Sequence, residues 1–218
     1  MTPYFRIFCT PLALLPDLVN IDDAEIRELV RRPPHTREGG WTIWGAREVL
    51  PSMEGLEAVG LDGRRLFVLK NGHIEYWQPC RSETFQWAQA ESEQSLHPWL
   101  YPYAICELPV NFLMLANRVY EHTSLDCDVH IAMAYYSIQG FILIPYRPRS
   151  VAFITGGGTR VKPYGKQDLK TLPVTSSVPI QQDQVAFELV KQVYHEFGFG
   201  VDDIYLFDEH GNFHPGGG

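Results

Sequence analysis

Long apolar runs are missing from this sequence, because no stretch approaches the roughly 20 consecutive apolar residues that a membrane-spanning helix needs. The first residues, MTPYFRIFCTPL, also lack the basic region, apolar run and cleavage site of a secretory signal peptide. We therefore expect a cytoplasmic protein that has no membrane partner.

Cysteine is scarce. The chain has 4 cysteines, and no two of them form a C-x-x-C pair: Cys9, Cys80, Cys106 and Cys127. Without a secretion signal, this number and spacing predict buried thiols in a reducing compartment rather than disulfides.

Basic residues are outnumbered as well. The 18 lysines and arginines face 26 acidic residues, which gives a formal net charge of -8. A domain that holds nucleic acid mainly through phosphate contacts carries the opposite balance. The composition therefore disfavours nucleic acid as a partner, although a local basic patch is compatible with it.

Catalytic signatures are absent too: G-x-S-x-G, H-E-x-x-H, G-x-x-x-x-G-K-[ST] and G-x-G-x-x-G. The run Gly156-Gly157-Gly158-Thr159 resembles a phosphate cradle, but no helix follows to supply N–H donors and a dipole, so a turn is predicted there. We expect that the chain is not an enzyme by itself and that it binds no cofactor and no metal.

The strongest pattern that is present lies at 56–78, LEAVGLDGRRLFVLKNGHIEYWQ. Asp62-Gly63 and Asn71-Gly72 separate alternating apolar residues there, which predicts a three-stranded antiparallel meander with type I′ turns. A two-residue loop at Asn71-Gly72 pairs Leu69 with Ile74. The predicted core face then holds Phe67, Leu69, Ile74 and Tyr76. The opposite face, with Val59, Leu66 and Trp77, is either covered by the second subdomain, which is the favoured interpretation, or a docking surface.

The remaining patterns predict an α+β fold with mainly antiparallel sheets, a three-stranded meander plus a long hairpin, and three principal helices. Helices are predicted at 23–32, 109–122 and 184–197, with Asp22 and Glu25 spaced like a capping box and Pro109 at a first helical position. Strands are predicted at 4–10, 129–138, 141–146 and 151–154, and a long surface loop at 155–180. The proline-broken stretch at 79–104 suggests two subdomains, 1–92 and 93–218, or else one compact domain.

Three groups of titratable residues have a spacing that is compatible with chemistry. Two could ligate a metal: Asp208, Glu209, His210 and His214, and the run Asp126, Cys127, Asp128 and His130. Asp128 and His130 would share one face of a strand, as an acid–base pair requires. Asp168-Leu169-Lys170 has the acid-x-Lys spacing of one nuclease class but falls in the predicted loop. Solvated polar residues are the simpler interpretation of all three groups.

Basic and aromatic residues occur together in two places, and stacking combined with cations is a common way of holding single strands. The first place contains Arg31, Arg32, Arg37, Trp41 and Trp44. The second, which we take as the candidate binding site, contains Tyr146, Arg147, Arg149, Arg160, Lys162, Tyr164 and Lys166. The alternative is ordinary solvated loop charge, which the acidic total favours.

Four phrases carry a family resemblance: PYFRIFCTPL, DGRRLFVLKNGHIEYW, VHIAMAYYSIQGFILIP, and HEFGF with FDEHGNF. In this order they resemble the C-terminal region of bacterial proteins described as ATP-binding or AlbA_2 (Schlafen-like) DNA-binding proteins. In that family the AlbA_2 domain lies N-terminal to this region and carries the nucleotide or nucleic-acid binding. The resemblance therefore implies a fragment, or a relative that keeps only the accessory half, and it assigns no binding residue here.

We therefore expect a non-catalytic accessory or protein-interaction module of a bacterial cytoplasmic protein or assembly. The alternative is a nucleic-acid-binding module that uses the basic-aromatic loop at 146–166.

Overall fold

A computed structural model of the chain describes residues 2–43, 48–60, 62–80, 98–143, 162–204 and 206–215. Within these ranges the helices are α1 (Ala24–Arg31), α2 (Pro102–His122) and α3 (Gln182–Glu196). The strands are β1 (Tyr4–Pro11), β2 (Glu48–Pro51), β3 (Gly55–Val59), β4 (Arg65–Leu69), β5 (Ile74–Pro79), β6 (Trp99–Leu100), β7 (Val129–Tyr136), β8 (Ile142–Leu143), β9 (Leu169–Lys170) and β10 (Val174–Ser176). The predicted α+β class with mainly antiparallel sheets and three principal helices is confirmed.

The main sheet has eight strands in the order β10-β7-β1-β5-β4-β3-β2, with β9 also paired to β7. All of its pairings are antiparallel, while β6 and β8 form a separate parallel pair. Strand β1 pairs with β5 on one side and with β7 on the other. One sheet therefore continues across the point, after residue 92, where we divided the chain into two possible subdomains.

Strand β1 shows why the sheet has two different faces. Its buried residues Phe5, Ile7 and Cys9 alternate with half-buried residues, which include Tyr4 and Arg6. Successive side chains of a strand point to opposite faces. The first set belongs to the hydrophobic core that the sheet shares with α1, α2 and α3. The second set lies on the face of the sheet opposite this core.

The meander at 56–78 exists, but its predicted register at the second turn is wrong by one residue. Val68, not Leu69, pairs with Ile74. The loop has three residues because the Leu69 N–H donates to the His73 carbonyl at 2.8 Å, and within the turn only Gly72 has a positive φ, of 84°. A three-residue loop of this kind places Gly in the left-handed region, whereas the predicted type I′ turn needs positive φ at both central residues.

The one-residue shift reverses the faces of β4 and leaves those of β5 as predicted. Leu66 and Val68 are buried in the core, while Phe67 is half-buried on the opposite face. Ile74 and Tyr76 are fully buried, as predicted for β5. The predicted core face was therefore right on one strand of the hairpin and wrong on the other.

Helix α2 is longer than predicted, and Pro109 lies inside it rather than at its first position. Pro102 occupies the first turn, and Pro109 lies inside the helix. Almost every residue from 102 to 116 is buried, so core packing on all sides holds the segment helical. Among the described residues, no helix is both long and apolar enough to cross a membrane.

Three further predictions need correction. At α1 the side chain of Asp23, not Asp22, caps the helix by accepting from the N–H groups of Glu25 and Ile26. Residues 129–138 and 141–146 do not form a hairpin in the described part of the chain, since β7 pairs with β1, β9 and β10 and β8 pairs with β6. The region 155–180, predicted to be loop, contributes β9 and β10 to the main sheet. The strand predicted at 151–154 lies outside the described residues.

Candidate functional site

The face of the main sheet opposite the helices carries an unusual concentration of aromatic and charged side chains. We call this surface the aromatic face, and we define it by Tyr4, Arg6, Phe8, Phe67, Glu75, Trp77, Tyr136 and Lys170. Register explains the grouping: Arg6 is paired with Trp77 on β5, Phe8 with Glu75 on β5, and Tyr4 with Tyr136 on β7. Five neighbouring strands, β9, β7, β1, β5 and β4, thus bring together residues that are far apart in sequence.

Three rings form a continuous stack across three of these strands. Tyr4 stacks on Tyr136 with ring centroids 4.6 Å apart and on Trp77 with centroids 5.1 Å apart and planes inclined by only 4°. The ammonium of Lys170 lies 5.4 Å from the centroid of the Tyr136 ring, within the range of a cation–π contact. The three rings are half-buried, so part of each remains accessible.

An ion pair lies beside the stack. The guanidinium of Arg6 donates from Nε to Oε1 of Glu75 at 2.7 Å and from Nη2 to Oε2 at 2.8 Å, a bidentate geometry. The Trp77 indole N–H also donates to Glu75, and the Arg6 guanidinium lies 5.1 Å from the centroid of the Phe8 ring. Burial disfavours the charged carboxylate, but hydrogen bonds from His73, Arg6 and Trp77 outweigh burial and lower the pKa of Glu75 from 4.5 to about 2.

A hydroxyl, an imidazole and a carboxylate are aligned at one end of the aromatic face. The Thr10 hydroxyl lies 2.6 Å from Nδ1 of His73, and Nε2 of His73 lies 3.0 Å from Oε2 of Glu75. This order is that of a catalytic triad. The surroundings favour a structural role, because Thr10 lies within a paired strand opposite His130 and Glu75 already binds Arg6 through both oxygens. An acyl-transfer site also needs donors aimed at a developing oxyanion, which a turn or a helix start supplies more readily than a paired strand.

The loop that we predicted as a binding site is described only in part. Tyr146, Arg147, Arg149 and Arg160 lie outside the described residues. Lys162 and Lys166 are exposed, and the Lys166 ammonium lies 2.8 Å from Oε2 of Glu196.

Tyr164, from the same predicted site, contributes to the core. Its ring packs against Phe197 and its hydroxyl donates to the Asp168 carbonyl. Burial, reinforced by the charge of Glu196, raises its pKa to about 12. Tyr164 is thus placed to hold the loop against α3 rather than to stack on a ligand.

The titratable groups at the strand starts and in the tail have structural partners. Asp208 accepts from the N–H groups of His210 and Asn212, and from the ring of His214 at 3.2 Å, which closes the terminal turn. Asp168, predicted to lie in a loop, immediately precedes β9 and accepts from the Ser137 N–H.

Asp128 and His130 lie at the start of β7. His130 lies on β7 opposite Thr10, and Asp128, just before the strand, accepts from the Leu12 N–H through its carbonyl. In the described part of the chain, no group of three His, Cys, Asp or Glu side chains is arranged to hold a metal ion.

Two buried polar residues on α2 were missed by sequence reasoning. Glu107, whose side chain is 0% exposed, accepts from Arg37 at 2.5 and 2.9 Å and from the Trp41 N–H at 2.6 Å. Asn111, one turn later, accepts from the Thr36 N–H and donates to the Trp41 carbonyl. The two side chains fix the loop at 33–43. Their i, i+4 spacing inside an apolar helix was the only sign of them in the sequence.

Comparison with known proteins adds no relative. No family model, no curated protein and no solved structure matches the chain.

Proposed function

We propose that the chain is a non-catalytic protein-interaction module of a cytoplasmic assembly and that the aromatic face is its contact surface. The observation that carries this proposal is the Tyr136–Tyr4–Trp77 stack beside the bidentate Arg6–Glu75 pair. Tyrosine, tryptophan and arginine are the residues that contribute most often to the energetic centre of a protein interface.

The charges of this face suit a protein partner. Arg6 is neutralised by Glu75, and the neighbouring Arg65 on β4 is neutralised by Glu57 on β3. A partner that covers these two pairs buries each arginine together with its carboxylate, and a buried charge without a counter-ion would weaken binding strongly. Lys170, the further cation of this face, is exposed and contacts the Tyr136 ring. The surface therefore tolerates desolvation better than a set of unpaired cations would.

Single-stranded nucleic acid is the second candidate, because a sheet with helices on one face and aromatic side chains on the other can stack bases. The Arg6–Glu75 and Arg65–Glu57 ion pairs disfavour the binding of nucleic acid to this face. Phosphates need free cations, whereas Arg6 and Arg65 are held by carboxylates, which leaves Lys170 beside the stack as the cation available to a phosphate. The chain also carries a net charge of -8. The resemblance to the region that accompanies AlbA_2 domains also supports an accessory role over direct nucleic-acid binding.

The proposal is tested by immobilising the purified wild type and variants and comparing which proteins each retains from an extract of the source cells. Trp77→Ala and Tyr136→Ala remove the two ends of the stack, and Phe187→Ala removes a half-buried ring on α3 as a matched control. We expect the wild type and Phe187→Ala to retain the same protein and both face variants to lose it, while circular dichroism shows all four chains folded. Retention of one protein by all four chains would contradict the proposal.

Labelled oligonucleotides test the second candidate. We expect no affinity tighter than roughly 10⁻⁴ M at physiological salt, the weak end of non-specific binding. Micromolar binding that weakens steeply with salt and is lost in Trp77→Ala would place nucleic acid on this face instead of a protein.

A further inference from the structure

A cleft of about 740 Å³ lies between the end of α1 and the loop at 33–43. Its cationic and hydrogen-bonding walls come from Arg31, Arg32, His35 and Arg37. Its apolar wall comes from the half-buried Pro34, with Pro33 and Ile43 buried behind it. The volume is within the range of small-molecule sites, which combine a mostly apolar surface with a few polar groups. The cleft also contains three of the arginines that stood out beside tryptophans in the sequence, and the proposed protein contact does not use them.

Side chains of α2 hold the loop that forms the cleft in one conformation. Glu107 and Asn111 are almost completely buried, and together they bind Arg37 and the backbone of Thr36 and Trp41. A Cβ at Gly40 would lie 2.9 Å from the Glu107 carboxylate, so the loop approaches α2 as closely as only glycine allows. A buried polar network of this kind makes a loop rigid, and ligand-binding residues are often held on such loops.

The two arginines at the end of α1 are more exposed than Arg37, the third arginine that lines the cleft. Arg31 and Arg32 both lie 3.3 Å from the single carboxylate of Glu28, so one positive charge of the three groups is left over. Their side chains are 52% and 80% exposed, and surface pairs of this kind are weak and exchange partners easily. Arg37, in contrast, is committed to Glu107.

From these features we propose that the cleft binds a small organic oxyanion. The phosphate or carboxylate of the ligand is held by the guanidinium groups of Arg31 and Arg32, which are suited to bidentate contacts with either group. The apolar body of the ligand lies on Pro34, the half-buried one of the apolar residues that line the cleft. Glu38, which also lines the cleft, weakens the binding by repulsion. This site is independent of the aromatic face.

Titration calorimetry with phenyl phosphate, inorganic phosphate and benzoate tests the proposal on the full chain. We expect phenyl phosphate to bind more tightly than inorganic phosphate, because only the former covers the apolar wall. The comparison of phenyl phosphate with benzoate shows which oxyanion the arginines prefer. No saturable binding of either aromatic anion below 10 mM would overturn the proposal.

Variants locate the binding. We expect the double variant Arg31→Ala, Arg32→Ala to weaken the affinity at least tenfold and Glu38→Gln to strengthen it about twofold, roughly the effects of losing and gaining charge complementarity in a partly exposed site. The matched control is Arg118→Ala, an exposed arginine on α2 that also pairs with an acid three residues away. An equal loss in the control, or no loss in the double variant, would show that the anion binds elsewhere or non-specifically.

Discussion

The guanidinium of Arg6 and the carboxylate of Glu75 face each other across β1 and β5 and share two hydrogen bonds of 2.7 and 2.8 Å. The pair sits at the centre of the aromatic face, and it also holds Trp77 through the indole N–H and His73 through the imidazole. It therefore fixes the geometry of the surface that we propose as the contact site.

The ionised carboxylate of Glu75, which accepts hydrogen bonds from His73, Arg6 and Trp77, predicts an acid-dependent loss of stability. The folded-state pKa of Glu75 is about 2, below its ordinary value of 4.5, so its contribution is fully present above pH 4.5 and disappears as the pH falls towards 2. This difference in pKa corresponds to about 3 kcal/mol of folding stability at neutral pH. We expect urea unfolding to show Glu75→Gln less stable than the wild type at pH 7 and the difference reduced to about a quarter at pH 2.5. A difference that does not change with pH would contradict this cause.

His122 predicts a smaller effect of opposite sign. Its imidazole lies 2.9 Å from the carboxylate of Asp23, which raises the pKa of His122 above its ordinary value of 6.5. The ion pair therefore stabilises the fold below pH 6.5, and this stabilisation is lost as the pH rises through the folded-state pKa. Thermal melts of the wild type and His122→Gln should diverge at pH 5.5 and converge at pH 9. Equal separation at both pH values would rule out this ion pair as a source of pH dependence.

The conformation of Gly72 predicts that a side chain at this position of the β4–β5 turn destabilises the fold. Its φ is 84°, and a Cβ there would lie 2.6 Å from Leu18 and 2.9 Å from Pro11. We expect Gly72→Val to destabilise the fold by about 1–3 kcal/mol from backbone strain, with a further loss from these contacts. Gly140→Val is the control, because Gly140 has a φ of 86° and nothing within 4 Å of the added Cβ. Equal losses in chemical denaturation would mean that the contacts with Leu18 and Pro11 do not matter.

The ion pair between Arg37 and the buried Glu107 predicts that removing Arg37 destabilises the fold more than removing Arg65 does. Arg37→Ala leaves the fully buried carboxylate of Glu107 without its cation, which should cost about 3–5 kcal/mol. Arg65→Ala breaks a pair with Glu57 in which the arginine is 49% exposed, and it should cost less than about 1 kcal/mol. Urea unfolding of both variants measures the difference. Similar costs would indicate that water reaches Glu107.

The secondary-structure pattern was predictable wherever a local cause decided it. The alternation in β1, the apolar stripe of α3 and the turn at Gly72 all follow from side-chain spacing and backbone freedom. Turn type was less predictable, since Asn71-Gly72 is compatible with a two-residue loop and with a three-residue loop that also includes Lys70. The change of register exchanged the buried faces of β4, with Leu66 and Val68 replacing Phe67 and Leu69 in the core.

The candidate sites were harder to predict because they depend on contacts between distant residues. Pro109 typically marks a helix start, yet packing on all sides of α2 keeps it inside the helix. No residue near Glu107 in the sequence indicates that it pairs with Arg37, 70 residues away. The stack of Tyr4, Trp77 and Tyr136 requires the order of β5, β1 and β7 in the sheet, which no local pattern encodes.

The most direct test of the aromatic face is the affinity of the purified partner protein for three chains: the wild type, Trp77→Ala and Phe187→Ala. Truncation of a central aromatic side chain typically costs about 2 kcal/mol or more of binding free energy, so we predict an affinity at least thirtyfold weaker for Trp77→Ala and unchanged for Phe187→Ala. Equal affinity of the folded Trp77→Ala chain and the wild type would contradict the assignment of this face as the contact surface.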